Sequence, residues 1–287
     1  MENIKEKITR FYGLVSNSAN GGPNTRYRSW EWCHQAFMNK RIEYQRTDKP
    51  EEKDKIIDEL ALHLAFYLAS WGMYRGSSFL LQRDYKAHKV AVGYILENKY
   101  DLLWDYQPDY NNVDVAVDLL FSEENKYGIY KRIGDSYNPL EADKDNPTDT
   151  LITKILMGTY GCIPAYDRFL KSGIAAYNNC KNNKPDGDIK LTKNITSNSF
   201  KTLTQFYLNH KKEFVNPSAQ IYYPPMKCVD MFFWEIGYEI EIANGLKDNN
   251  NDVEKKSKLF DLAVSLSLCN KNQSFEEAAM EIIKKNQ

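Results

Sequence analysis

The stretch Asp58-Glu59-Leu60-Ala61-Leu62-His63-Leu64-Ala65-Phe66-Tyr67-Leu68-Ala69-Ser70-Trp71-Gly72 decides the fold class. Leu60, Leu64, Tyr67, Leu68 and Trp71 recur at helical spacing, and apolar residues continue onto other faces, which predicts a central helix buried on more than one side. The longest apolar run, Leu60 to Met73, is broken by His63 and Ser70 and falls short of the roughly 20 residues a bilayer span takes. No membrane partner is expected.

Working outward, Gly72 and Gly76 loosen the end of this helix, and Asp48 to Lys55 reads as a charged, solvated approach to it. Ser29 to Arg41 predicts a helix carrying Trp30, Cys33, Phe37 and Met38, after the breaker cluster Gly21-Gly22-Pro23-Asn24. Downstream, Tyr85, Val90, Val92, Ile95 and Leu96 suggest one or two helices between Arg83 and Trp104, and Val113 to Phe121 a short one. Further helices are expected over Thr150 to Met157, Asp167 to Asn178, Ser199 to Glu213, Met226 to Ala243, Val253 to Leu268 and Phe275 to Lys285. Polar loops are expected at Lys181 to Lys190 and Lys247 to Asp252. Strand alternation is nowhere sustained and no repeat of 20 to 50 residues is visible. The expectation is an all-α protein, one helical unit over residues 1–287. It has possible lobes of about 1–140 and 141–287, with a cleft between them and the Pro-, Asp- and Asn-rich stretch Asn138 to Asp149 at the division.

A chain of 287 residues has enough length to bury a large core. Its 20 Tyr, 13 Phe and 5 Trp supply rings either for that core or for a surface that holds something flat. Cys33, Cys162, Cys180, Cys228 and Cys269 are odd in number and form no CxxC pair, which argues for a reducing compartment and against a disulfide framework or zinc site. The N-terminus lacks the apolar core of a secretory signal, so a cytoplasmic location is expected. The net charge of −1 gives no global attraction to a polyanion and leaves only a local basic surface for one. P-loop, GxGxxG, GxSxG and HExxH patterns are missing. His63 reads as a core histidine, His34 and His210 lack partners at metal spacing, and neither metal nor cofactor is expected.

In Thr153-Lys154-Ile155-Leu156-Met157-Gly158-Thr159-Tyr160-Gly161-Cys162-Ile163-Pro164-Ala165-Tyr166-Asp167, Lys154 lies on a helix that ends near Gly158. Pro164 then introduces Asp167 at the start of the next helix, so that the two side chains can face one crevice. This resembles the catalytic stretch of the helix-hairpin-helix DNA glycosylase superfamily, although the L-P-G-V-G hairpin of that family is not visible before Lys154. Lys227-Cys228-Val229-Asp230-Met231-Phe232-Phe233-Trp234-Glu235-Ile236-Gly237 is similar to a late helix of some divergent members. The resemblance implies excision of a damaged or modified base from DNA, in repair or in defence against modified invader DNA, with Asp167 and Lys154 catalytic. Breaking an N-glycosidic bond builds positive charge on the deoxyribose, which a fixed carboxylate stabilises while orienting or deprotonating water. Lys154 as an amine could attack C1′ and form a Schiff base, and as an ammonium it would hold a phosphate. The plainer alternative is that Asp167 only caps the helix beginning at Arg168 and Lys154 is a surface lysine.

Trp71-Gly72-Met73-Tyr74-Arg75-Gly76 offers flat faces and a cation for a flipped base, with Tyr160, Asp230 and Trp234 as further pocket residues, unless Trp71 belongs to the core. Arg26-Tyr27-Arg28-Ser29-Trp30 interleaves basic and aromatic residues, so Arg26 and Arg28 either contact a DNA backbone or pin a loop to the protein surface. Arg83 and His88, four residues apart, resemble the R-x4-H motif of the HEPN ribonucleases, which implies RNA cleavage as a rival activity. A helical binding protein without catalysis is the third reading.

Overall fold

The structure, a computed structural model, describes residues 4–16, 25–104, 106–122, 128–137, 147–179 and 189–245. Among these residues there is no strand, and the fold is all-α. Its helices are α1 (Ile4–Ser16), α2 (Ser29–Arg46), α3 (Pro50–Ser70), α4 (Lys89–Ile95), α5 (Asp101–Trp104) and α6 (Val113–Phe121). They continue with α7 (Ile129–Tyr137), α8 (Asp149–Thr159), α9 (Arg168–Asn179), α10 (Ser197–Asn209) and α11 (Pro225–Gly245). The helices expected over Val253 to Leu268 and Phe275 to Lys285, the loop Lys247 to Asp252, and most of Asn138 to Asp149 and Lys181 to Lys190 lie outside the described residues.

The central helix differs from its expected form in two ways. α3 begins at Pro50, because proline suits the first helical position and Glu51 and Glu52 follow where the helix dipole favours negative charge. The charged run to Lys55 is thus helix rather than approach. Leu60, Leu64, Tyr67 and Leu68 are buried, yet Leu62 and Phe66 are 55% and 58% exposed, so α3 is buried along one side and not all round. His63 is only half-buried and is no core histidine. Val90 is likewise exposed, while Ala91, Val92 and Ile95 of α4 face inward.

The chain divides into two densely connected units. The central unit comprises Gly13–Ala165 and Ser218–Lys227, and the terminal unit Met1–Tyr12, Tyr166–Pro217 and Cys228–Gln287.

In the central unit α3 packs on α2, α4 and α8, and α7 packs on α4, α6 and α8. Trp104 lies between Phe37 and Tyr160, the latter with its ring edge-on at 4.4 Å and its hydroxyl donating to the Ile95 carbonyl at 2.7 Å. Arg132 forks onto Glu97 with two bonds of 2.6 Å while covering the Tyr94 ring at 3.9 Å, a geometry that only a planar guanidinium achieves.

In the terminal unit α1 presents Ile4, Ile8 and Phe11 on one buried stripe, each side chain contributing about 1.5–3 kcal/mol. Lys7 and Arg10 meet the Glu239 carboxylate at 2.6 and 2.7 Å. Tyr177, Phe206, Phe214, Phe232 and Phe233 form a ring cluster where α9, α10 and α11 meet. α10 is started by a capping box in which Thr196 and Ser199 satisfy each other's backbone N–H groups.

Candidate functional site

Four residues that are distant in sequence converge in the central unit. α3 ends at Ser70, and Gly72 adopts a left-handed φ of 77° that lets the Met73 N–H close back on the Leu68 carbonyl at 2.9 Å. This turn fixes Trp71, whose half-buried indole meets the Tyr27 ring edge-on at 5.4 Å. The Lys154 Nζ of α8 lies 5.2 Å from the Trp71 ring centre and the Lys227 Nζ 5.6 Å from it. Lys227 also lies 5.2 Å from the ring of Trp30 on α2. The lysines are 4% and 1% exposed, a burial rare for this residue type.

α2 braces this platform. The Trp30 Nε1 donates to the Met157 carbonyl at 2.9 Å, and His34, stacked on Trp30 at 4.9 Å, pairs its Nδ1 with the Thr159 carbonyl at 2.7 Å. Two carbonyls in the last turn of α8, which have no partner within the helix, are satisfied in this way. Glu31 is buried with its charge met by Arg28 at 2.8 Å and by the Tyr223 hydroxyl at 2.5 Å. Lys227 occupies the first turn of α11, where the helix dipole disfavours a cation.

The terminal unit holds the carboxylates. Asp167 begins α9, its Oδ1 accepting from the N–H groups of Phe169 and Leu170 at 3.0 and 3.1 Å, and it is 9% exposed. Capping of α9 is therefore one of its roles. Asp230 and Trp234 are buried on α11, with Trp234 enclosed by Phe11, Phe169 and Tyr238. Glu235 beside them is also buried, and among the described residues its Oε2 accepts no hydrogen bond. Burial and the neighbouring Glu239 charge push its carboxyl up to about 7, against the pull of Lys7 and Arg10.

The remaining expected site residues have other surroundings. Tyr160 is a core residue with its hydroxyl committed to Ile95, and it lines no base pocket. Tyr74 is half-buried and pairs with His88 at 2.6 Å, while Arg75 is exposed and lies against Gly72. Arg28 is tied to Glu31, whereas Arg26 is exposed over the Tyr27 ring at 5.2 Å. Lys154 is not a surface lysine. Arg83 is exposed, but His88 is wholly buried with both ring nitrogens held by the Tyr74 and Tyr137 hydroxyls. Both imidazole nitrogens are thus engaged within the fold. Cys33 and Cys162 are buried, and burial alone pushes both thiols well above their ordinary range. Among the described residues no group of His, Cys, Asp and Glu is placed to hold a metal, and no helix is long and apolar enough to cross a membrane.

The sequence places Trp30 on a helix and in a basic-aromatic run, and gives Glu31 and Glu235 no role of their own. Glu235 carried a signal, a carboxylate inside the apolar run Met231-Phe232-Phe233-Trp234-Glu235-Ile236. It also has a measurable consequence when set against His88, whose imidazole burial pushes down from 6.5 to about 4. The unfolded chain protonates this histidine near 6.5 and the folded one only near 4, so its contribution to stability, present above 6.5, is lost as pH falls to 4. Glu235 has the opposite sign, its contribution being full below 4.5 and lost as pH rises to about 7. Each is worth about 3 kcal/mol at 1.36 kcal/mol per unit. In urea titrations, E235Q is expected to be more stable than the parent at pH 7.5 and to lose stability steadily toward pH 4.5. Coincident pH profiles for parent and variant would show the assignment to be wrong.

No protein-family model, no curated protein and no solved structure matches this chain.

Proposed function

We propose that the chain is a DNA glycosylase-like enzyme of the cytoplasm that hydrolyses the N-glycosidic bond of a damaged or modified base, in repair or in defence against modified invader DNA. The observation that carries this reading is Asp167, a nearly buried carboxylate whose orientation is set by two backbone amides at the head of α9. As the C1′–N bond lengthens, positive charge grows on the deoxyribose. A carboxylate already locked in place stabilises that charge without the reorganisation a mobile group would need. Water oriented by the same carboxylate completes the hydrolysis and leaves an abasic site. Lys154 acts in this reading as a contact to the DNA backbone, and Arg26, exposed ahead of α2, adds a peripheral one.

The test is incubation of the full chain with duplexes that each carry one oxidised, alkylated, deaminated or hydroxymethylated base, followed by hot alkali. Strand breakage at the modified position in at least one duplex is the expected result. Breakage in none of them rejects the reading.

A further inference from the structure

We propose that Arg26, Tyr27, Trp71 and Arg75 form a binding surface for single-stranded nucleic acid, with bases stacked on the rings and phosphates met by the guanidinium groups. All four residues lie in the central unit and touch in series. The Arg26 guanidinium covers the Tyr27 ring at 5.2 Å, and Tyr27 meets Trp71 edge-on at 5.4 Å. Arg75 folds back over Gly72, the residue after Trp71, so closely that a Cβ there would stand 2.8 Å from its Nε. The order of contacts is therefore cation, ring, ring, cation. Beside Tyr27 in sequence, Arg28 covers Trp32 at 5.1 Å, and that ring is 45% exposed.

Solvent reaches every member of the series, since Arg26 and Arg75 are exposed and Tyr27 and Trp71 half-buried. Arg28 is matched by Glu31 at 2.8 Å, whereas among the described residues neither Arg26 nor Arg75 meets a carboxylate. A guanidinium that lies on a ring still has N–H donors for an oxyanion. A duplex presents phosphates but keeps the faces of its bases inside the stack, and an acidic peptide has no flat group for the rings. A single strand brings both, a π-face on every base and a phosphate at every step. The chain's net charge of −1 makes the attraction local, which suits a ligand held by two cations and by stacking rather than by charge alone. The turn at Gly72 holds Trp71 in place before the strand arrives, so binding orders less of the protein. On the glycosylase reading the strand is DNA unpaired around an extruded base; that identification rests on the reading, and the surface does not.

The experiment follows the fluorescence anisotropy of a short labelled oligothymidylate titrated with the full chain over a range of salt concentrations, beside an oligouridylate, an unmodified duplex, and polyglutamate as competitor. Oligothymidylate is expected to bind at least tenfold more tightly than the duplex. R26Q and R75Q should each weaken it at least threefold and lower the slope of log affinity against log salt by about 0.7, while R26K keeps the parent slope. W71L should weaken it about tenfold, as the loss of one stacked base does, with the slope unchanged. Arg26 and Arg75 are exposed, so R26Q and R75Q should unfold at the parent temperature and decide the matter even if W71L folds poorly. Parent affinity in the R26Q/R75Q double variant, or duplex binding as tight as the strand, overturns the surface. Displacement of the strand by polyglutamate at equal charge concentration overturns its assignment to nucleic acid, and oligouridylate binding tenfold tighter than oligothymidylate overturns its assignment to DNA. Binding is read without excision. A chain that holds oligothymidylate through these residues but releases no base rejects the glycosylase reading alone, and base release with an unaltered KM and salt slope in the double variant rejects the surface alone.

Discussion

Gly237→Ala is expected to destabilise the terminal unit by about 3 kcal/mol or more, the upper end of what overpacking costs. A Cβ at Gly237 would stand 2.0 Å from the Phe169 carbonyl oxygen and 2.7 Å from its carbon. Across the same crossing of α9 and α11, a Cβ at Gly173 would stand 2.0 Å from the Phe233 oxygen. Both obstacles are backbone, so no rotamer change relieves them and the helices have to part. Parting also withdraws Phe169 from Trp234 and Tyr238, and Tyr177 from Phe233. Gly173→Ala should cost a similar amount. The double variant should cost well under the sum of the two, because helices separated by one methyl group already admit the other. Urea unfolding followed by fluorescence and circular dichroism measures all three, and a midpoint within error of the parent for either single variant would contradict the close crossing.

Under the glycosylase reading proposed above, Asp167→Asn is expected to lower base excision by about 10²–10³-fold, the usual effect of removing one preorganised electrostatic group, equivalent to about 3–4 kcal/mol of transition-state stabilisation. Asparagine caps a helix about as well as aspartate, so its Oδ1 can still accept from Phe169 and Leu170 and the unfolding temperature should hardly move. What changes is the charge that, in that reading, faces the developing cation. Asp167→Ala removes charge and cap together and should add a stability loss of about 1 kcal/mol. Single-turnover excision rates beside unfolding temperatures separate the two roles. A D167N enzyme that excises at the parent rate would reduce Asp167 to a cap and nothing more.

Much of the helical framework was legible because it rests on local rules. Periodicity and punctuation predict α6 at Val113–Phe121, and they predict α8, α9 and α11 to within about two residues of their observed ends, a scatter ordinary for helix boundaries. α1 and α7 were not anticipated. The stripe Ile4, Ile8, Phe11 is short and set among lysines, and α7 has a single isoleucine on each side of Arg132, so neither segment shows more than one narrow apolar line. The glycosylase-like stretch was legible as a pattern, Lys154 on one helix and Asp167 at the head of the next. The same reading gave Tyr160 to a base pocket, because an aromatic residue beside a motif looks identical whether its ring faces a ligand or, as here, Trp104.

What the sequence by itself determined is the all-α class, the helix that carries Lys154 and the helix start that carries Asp167, since helical spacing and capping depend on residues only a few positions apart. Only the tertiary structure decided which charges are buried and what surrounds them. Trp30, Trp71, Lys154 and Lys227 are separated by dozens of residues and share no pattern, yet the packing of α2 and α8 on α3 brings the first three together and the chain returns at Ser218–Lys227 to add the fourth. Burial is a property of what lies across the gap from a side chain. A lysine on an indole and a lysine in water are spelled alike.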